Sequence, residues 1–154
     1  MPSGLYVLGS RAGTRRNLMT LNWATQVSTD PKLVAVSVEV EALTHQLVSE
    51  GRVFSLNIIK REDRAAVRKF VKPLDDPGDP SELGGFAVRA GTTGAPVLEM
   101  AAAWLDCRVQ ERVSCGSHTL FIGEIAACGW GGDGSDPGDI EVLRMEDTRM
   151  NYGG

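Results

Sequence analysis

The chain has 154 residues, 42% of them hydrophobic and 23% charged, with a formal net charge of −4. That is the length and composition of one ordinary globular domain with a real core. The charge argues against nucleic acid or an anionic membrane as the main partner, and no apolar run approaches the roughly 20 residues that span a bilayer.

The N-terminus lacks the basic stretch and long apolar run of a signal peptide, so the expected location is the cytoplasm. Three cysteines, Cys107, Cys115 and Cys128, make an odd set with no C-x-x-C spacing. Neither a disulfide framework nor a metal centre is expected from them.

The predicted elements begin with the apolar run "GLYVLGS", followed by "SRAGTRRN", whose Gly and basic residues suit a hairpin connection. "NLMTLNWATQVS", residues 17–28, alternates with period two and reads as one half-buried strand. Its polar face (Thr20, Asn22, Ala24, Gln26, Ser28) carries no charge, which is unusual for a face that only meets water. Asp30-Pro31 breaks the strand, and the Val-rich "KLVAVSVEV" reads as a buried one. "EALTHQLVSEG" predicts a short helix with Leu43, Leu47 and Val48 on one side and Gly51 at the C′ position.

"RVFSLNII" predicts a further strand. "KREDRAAVRKFV" has the strongest helical spacing in the chain, with Ala66, Val67, Phe70 and Val71 on one face. Residues 72–95 are Pro- and Gly-rich and read as a long functional or mobile loop within a single domain covering 1–154. "AAWLDCRVQERV" and "SHTLFIGEIAACGW" predict two long strands joined by the "SCGS" turn. An acidic glycine loop at 129–139 and a last strand at "IEVLRM" complete the chain. Six or seven strands in antiparallel hairpins with two helices suit a mainly β fold of barrel type.

Local motifs for chemistry are sparse. "GWGGDG" lies between strands and carries Asp133, so it reads as a surface loop rather than a phosphate loop. His45 reads as a helix residue. His118 opens a strand, where its imidazole is either an ordinary loop histidine or a site residue. No nucleophile elbow accompanies Ser114 or Ser117. Thr44 either caps the helix alone or caps it and binds an anion as well.

Taken together, "NLMTLNWATQVSTDPKLVAVSVEVEALTHQLVSEGRVFSLNII", "AWLDCRVQERVSCGSHTLFIGEI" and the closing "LRMEDTRMNYGG" resemble the flavin reductase-like family of FMN-binding split barrels. The resemblance implies a six-stranded antiparallel split β-barrel with Greek-key character and short accessory helices, acting as a homodimer. It implies reduction of FMN, or of FAD, by NADH or NADPH, with reduced flavin passed to a partner monooxygenase. By matching position, Met19, Thr20, Leu21, Asn22 and Trp23 would lie along the isoalloxazine, with Asn17 as a further cofactor-binding residue. Ser37, Val38, Glu39 and Thr44 would approach the ribityl and phosphate, and His118 would stand near the nicotinamide or flavin ring as the catalytic candidate.

The chain departs from that family at Glu39, Val40, Glu41 and Ala42, where members commonly carry Asn-Lys-x-Ser, and at Ser117, where they commonly carry Asp. Alternatives within the resemblance are an FMN-binding electron carrier without nicotinamide turnover, a deazaflavin-binding protein, and a cofactor-free split barrel.

Overall fold

In a computed structural model that describes residues 1–132 and 137–152, the chain forms ten strands, one α-helix and four 3₁₀ turns. The strands of the larger sheet are β1 (Tyr6–Ala12), β2 (Arg15–Leu21), β3 (Ala24–Thr29), β4 (Lys32–Glu39), β5 (Val53–Ile58), β9 (Ala103–Cys115) and β10 (His118–Trp130). They run antiparallel in the order β2-β1-β5-β9-β10-β4-β3. Gly116, with φ +70°, turns the β9–β10 hairpin in a conformation that other residues resist.

This is mainly β, as expected, but the sheet has seven strands rather than six. The difference arises in residues 17–28, which form two strands and not one. Asn22 and Trp23 interrupt the ladder: the chain pairs with β1 before them and with β4 after them. Consecutive strands β2 and β3 therefore lie at opposite edges of the sheet, and these two residues form the corner between the edges.

The sheet curls around a core that draws from both of its ends. Leu8, Met19, Leu21, Val34, Val36, Val38, Phe54, Cys107 and Phe121 share one buried cluster, with Val48 of helix α1 (Leu43–Gly51) added to it. Opposite residues of a ladder point to the same side, so parity along the strands decides which side chains enter this core.

The outer face is covered over only half of its width. Behind β1 and β2, Leu5, Val7 and Leu18 pack on Val67, Phe70, Leu83, Val88 and Leu98. Leu83, Val88 and Leu98 belong to a second, three-stranded sheet of β6 (Glu82–Leu83), β7 (Phe86–Ala90) and β8 (Pro96–Leu98). Residues 72–95 are therefore partly strand rather than a long bare loop, and Arg16 fixes them with two bonds to Asp76 at 2.6 and 2.9 Å.

Several expected local structures take another form. Residues 60–71 form two 3₁₀ segments, Arg61–Asp63 and Ala66–Val71, instead of a regular helix. The expected apolar face survives in part, since Val67 and Phe70 are fully buried while Val71 is 40% exposed. "IEVLRM" makes only the isolated bridges Lys60↔Val142 and Gly4↔Arg144, so it is not a strand. Gly51 is the last residue of α1 rather than its C′ residue, and Arg52 takes the left-handed turn with φ +59°. A Cβ at Gly51 would collide with the Arg11 carbonyl oxygen, so close approach to β1 is what requires glycine here.

The acidic half of the 129–139 loop, with Asp133 and Asp136, lies outside the described residues. Among the described residues no helix is long and apolar enough to cross a membrane, and no group of three or more His, Cys, Asp or Glu side chains is placed to hold a metal ion.

Candidate functional site

The sequence-predicted site residues separate into three groups. Met19, Leu21 and Val38 point into the core inside the curled sheet and are buried. Asn17 and Thr44 meet beneath α1: the Asn17 amide donates to Thr44 Oγ1 at 3.1 Å, and its Oδ1 accepts the Leu74 N–H at 3.1 Å. Thr44 is 1% exposed and makes no cap, because Ala42 is the N-cap and carries no side-chain cap bond. Thr20 turns to the covered outer face, where its hydroxyl donates to the Val67 carbonyl at 2.6 Å.

The third group comes together on the half of the outer face left open. Ladder register aligns Val113 of β9 with Leu120 of β10 and Ser37 of β4. The Ser37 N–H donates to the Trp23 carbonyl at 3.0 Å, which extends that row to the corner. One row further along, Cys115, His118 and Glu39 are aligned in the same way. Trp23 is 45% exposed, and its indole lies against the His118 imidazole with centroids 4.8 Å apart and a tilt of 48°. Ser37, Glu39, Trp23 and His118 thus share one exposed platform.

Asn22, at the corner beside Trp23, is 5% exposed. Its Nδ2 donates to the Tyr152 carbonyl at 3.0 Å, while its Oδ1 is buried without a hydrogen-bond partner. A buried unpaired acceptor is costly, and its presence beside an aromatic surface marks a place where a ligand N–H would be favourable. The Ser117 hydroxyl lies 2.9 Å from His118 Nδ1, so a hydroxyl occupies the position of the carboxylate that the family commonly carries.

Two nearby features were not legible in the sequence. His45 Nε2 lies 2.8 Å from the Thr119 hydroxyl, and burial, then the charge of Arg112, holds its pKa below the ordinary value. Tyr152 joins the corner from the far end of the chain. The phenol is half-buried and pushed up to about 12 by burial and then by Glu39. Neither contact has a periodic signature, since both join residues far apart in sequence. An aromatic side chain in an otherwise polar tail was the one available hint for Tyr152.

Cys107 is buried in the core with its thiol pushed up to about 12, chiefly by desolvation, which leaves it protonated and unreactive. One surface cleft of about 1200 Å³ runs between Lys60, Arg64, Glu141 and Arg149, away from the Trp23–His118 platform. An open aromatic platform, in contrast, becomes a concave site only when something else supplies its second wall.

The family model described as flavin reductase like domain matches residues 1–150. A putative diflavin flavoprotein A 1 from Nostoc sp. is 28% identical over 129 residues, covering 80% of this chain and 22% of that protein. The NADH-dependent flavin reductase StyB of Pseudomonas fluorescens is 34% identical over 112 residues, covering 72% of this chain and 61% of that one. The chain thus spans less than two thirds of the length of either curated relative. Among solved structures, the NADH:FAD oxidoreductase SgcE6 of Streptomyces globisporus superposes with a TM-score of 0.79 at 25% identity, covering 100% of this chain and 87% of that one. With the family model spanning nearly its whole length, this chain belongs to the flavin reductase-like domain family.

Proposed function

We propose that this protein is an NAD(P)H-dependent flavin reductase that takes the ring of FMN, or of FAD, on the open outer face at the Asn22–Trp23 corner. The observation that carries this reading is the exposed Trp23–His118 aromatic pair beside the unpaired acceptor Asn22 Oδ1. A flat ring with an apolar body and one hydrogen-bonding edge matches that combination. The family membership and the likeness to NADH-dependent flavin reductases support it.

Bound flavin supplies the hydride-accepting ring, and a reduced nicotinamide is the donor. The protein's own part is placement. Trp23 offers an aromatic face, His118 braces that face and borders the nicotinamide side, and Asn22 fixes the polar edge. Ser37 and Glu39 border the platform. No side chain is asked to move a proton between the reactants.

At the other end, Thr44 is buried against Asn17, and Glu39 and Glu41 are exposed near the end of β4. The ring end fits the group, whereas the phosphate end shows no built anion site among the described residues.

The second wall comes from a second copy in this reading. Trp23 and Val113 each expose 45% of their surface on the platform, and burying them between two chains would enclose the ring. The curled sheet, with its edges β2 and β3 joined through the corner, supports the split-barrel description. A cytoplasmic homodimer that passes reduced flavin to a monooxygenase component follows from the same family reading.

An electron carrier that holds FMN without nicotinamide turnover is the second reading, favoured by the likeness to a diflavin flavoprotein and by Ser117 at His118. Titrating purified protein with FMN, FAD and deazaflavin while following flavin fluorescence, and then adding NADH or NADPH, separates these outcomes, because the reductase consumes the nicotinamide and the carrier does not. Quenching by FMN or FAD is expected. No quenching by any flavin removes the reductase and carrier readings together, and quenching by deazaflavin alone reassigns the cofactor.

A further inference from the structure

The last described residues run onto the same face as the candidate ring site. Thr148 is 6% exposed and anchored on several sides. Its hydroxyl donates to the Met145 carbonyl at 2.9 Å and accepts the Met150 N–H at 3.2 Å, while its carbonyl accepts from Arg68 Nη2 at 2.7 Å. The chain then turns through Arg149 with φ +54°, a left-handed conformation that residues with a Cβ avoid. That turn delivers Tyr152 to the corner, where its carbonyl takes the Asn22 Nδ2 hydrogen and its phenol comes near Glu39.

Two costs are built into this seat. Arg149 holds an unfavourable backbone conformation, and Asn22 Oδ1 is shut away from water without a donor. Strain of this kind persists where surrounding contacts impose it, here the Thr148 bonds on one side and the Asn22 bond on the other. Lifting residues 149–152 would release the turn and free Asn22 Nδ2, the donor that the Tyr152 carbonyl takes. A ring edge with a carbonyl beside an N–H could then accept from Nδ2 and donate to the unpaired Oδ1, and the edge of a flavin carries such an N–H between two carbonyls.

We propose that residues 149–152, anchored at Thr148, are a displaceable strap that competes with the flavin ring for Asn22 and so gates the candidate site. The inference rests on the flavin reading. It adds that the free chain is binding-competent only for the fraction of time that the strap is off.

The test compares the full chain with a chain ending at Met150, which keeps the Thr148 anchor and the packing of Met150. Riboflavin binding is followed by stopped-flow fluorescence quenching, because an uncharged probe does not respond to charge changes at the surface. Removing residues 151 onward, and with them the Tyr152 carbonyl that holds Asn22, should raise both association rate and affinity about tenfold, as competence becomes complete. Arg149→Asn, which tolerates the left-handed turn, should favour the seated strap and slow association about threefold. Amide exchange at residues 150–152 of the full chain should rise when riboflavin is added.

Unchanged rates in the truncated chain overturn the proposal. So does weaker binding through faster dissociation, which would make the segment a fixed wall. If neither chain binds riboflavin or FMN, the flavin reading itself fails and the strap falls with it. Binding by the truncated chain alone supports the strap in its strongest form.

Discussion

Trp23 leaves 45% of its surface in solvent although it sits between two strands, and only a neighbour on the outer face would cover it. On the flavin reading, that neighbour is the isoalloxazine ring. Trp23→Ala should therefore weaken FMN binding about tenfold, in keeping with roughly 0.5–1.5 kcal/mol for an aromatic pair beyond its buried area, and leave the melting temperature nearly unchanged. Binding lost together with folding would contradict this.

Thr44 makes the opposite prediction. Its hydroxyl is the acceptor for a buried Asn17 amide, so Thr44→Val should cost about 1–2 kcal/mol of stability, read by urea unfolding. FMN and riboflavin affinities should then fall together; a loss confined to FMN would put phosphate at Thr44.

His45 carries a pH signature. Its folded pKa lies below the reference value of 6.5, so the unfolded chain binds the proton first. The stabilisation is present above about pH 6.5 and is lost as the pH falls toward the folded pKa. Melting temperatures at pH 7.5 and 5.5 should show a smaller drop for His45→Gln than for the parent chain.

At the scale of elements, the sequence was most readable where one strand or turn made its own case. The Val-rich β4, the long β9–β10 hairpin and the amphipathic α1 follow from spacing and turn residues that act locally. It was least readable where a distant partner decided. Residues 17–28 keep period two throughout, yet β1 claims one half and β4 the other, and nothing within those residues encodes two different partners. Residues 60–71 have helical spacing, but Val67 and Phe70 reach their cluster from 3₁₀ geometry.

The site followed the same division. Ladder register brings Trp23, Ser37, Glu39 and His118, which the family resemblance names, onto one face. The engagement of Thr20 with Val67, and of Asn22 with Tyr152, needed the fold.

Two element-level outcomes follow. Phe70, fully buried and in ring contact with Phe86 at 4.5 Å, ties the 3₁₀ segment to the second sheet, so Phe70→Ala should cost about 3–5 kcal/mol in denaturant unfolding. Arg16 clamps residues 76–82 through Asp76 and two backbone carbonyls, and its guanidinium holds the Asp76 carboxyl below the usual carboxylate range. That stabilisation is present above about pH 4 and is lost as the pH falls through the folded value of Asp76. Arg16→Ala should cost about 1–2 kcal/mol at neutral pH after allowance for solvent screening, and should reduce the acid sensitivity of the parent chain.

At the scale of the whole molecule, one asymmetry organises the rest. The second sheet and the 3₁₀ segments cover the outer face behind β1 and β2 and over Asp106 of β9, while the outer face around Val113, His118, Ser37 and Trp23 is left open. A surface of that kind is a place for a partner. If the partner is a second copy that completes the ring site, Val113→Arg should give a folded monomer by sedimentation that has lost most of its flavin affinity.

Catalysis of nicotinamide oxidation through flavin is tested by following NADH absorbance with the purified protein before and after FMN is added. Fast oxidation that requires both protein and FMN, and that falls sharply in Trp23→Ala, is the predicted result. FMN that binds tightly while neither NADH nor NADPH is consumed would contradict it.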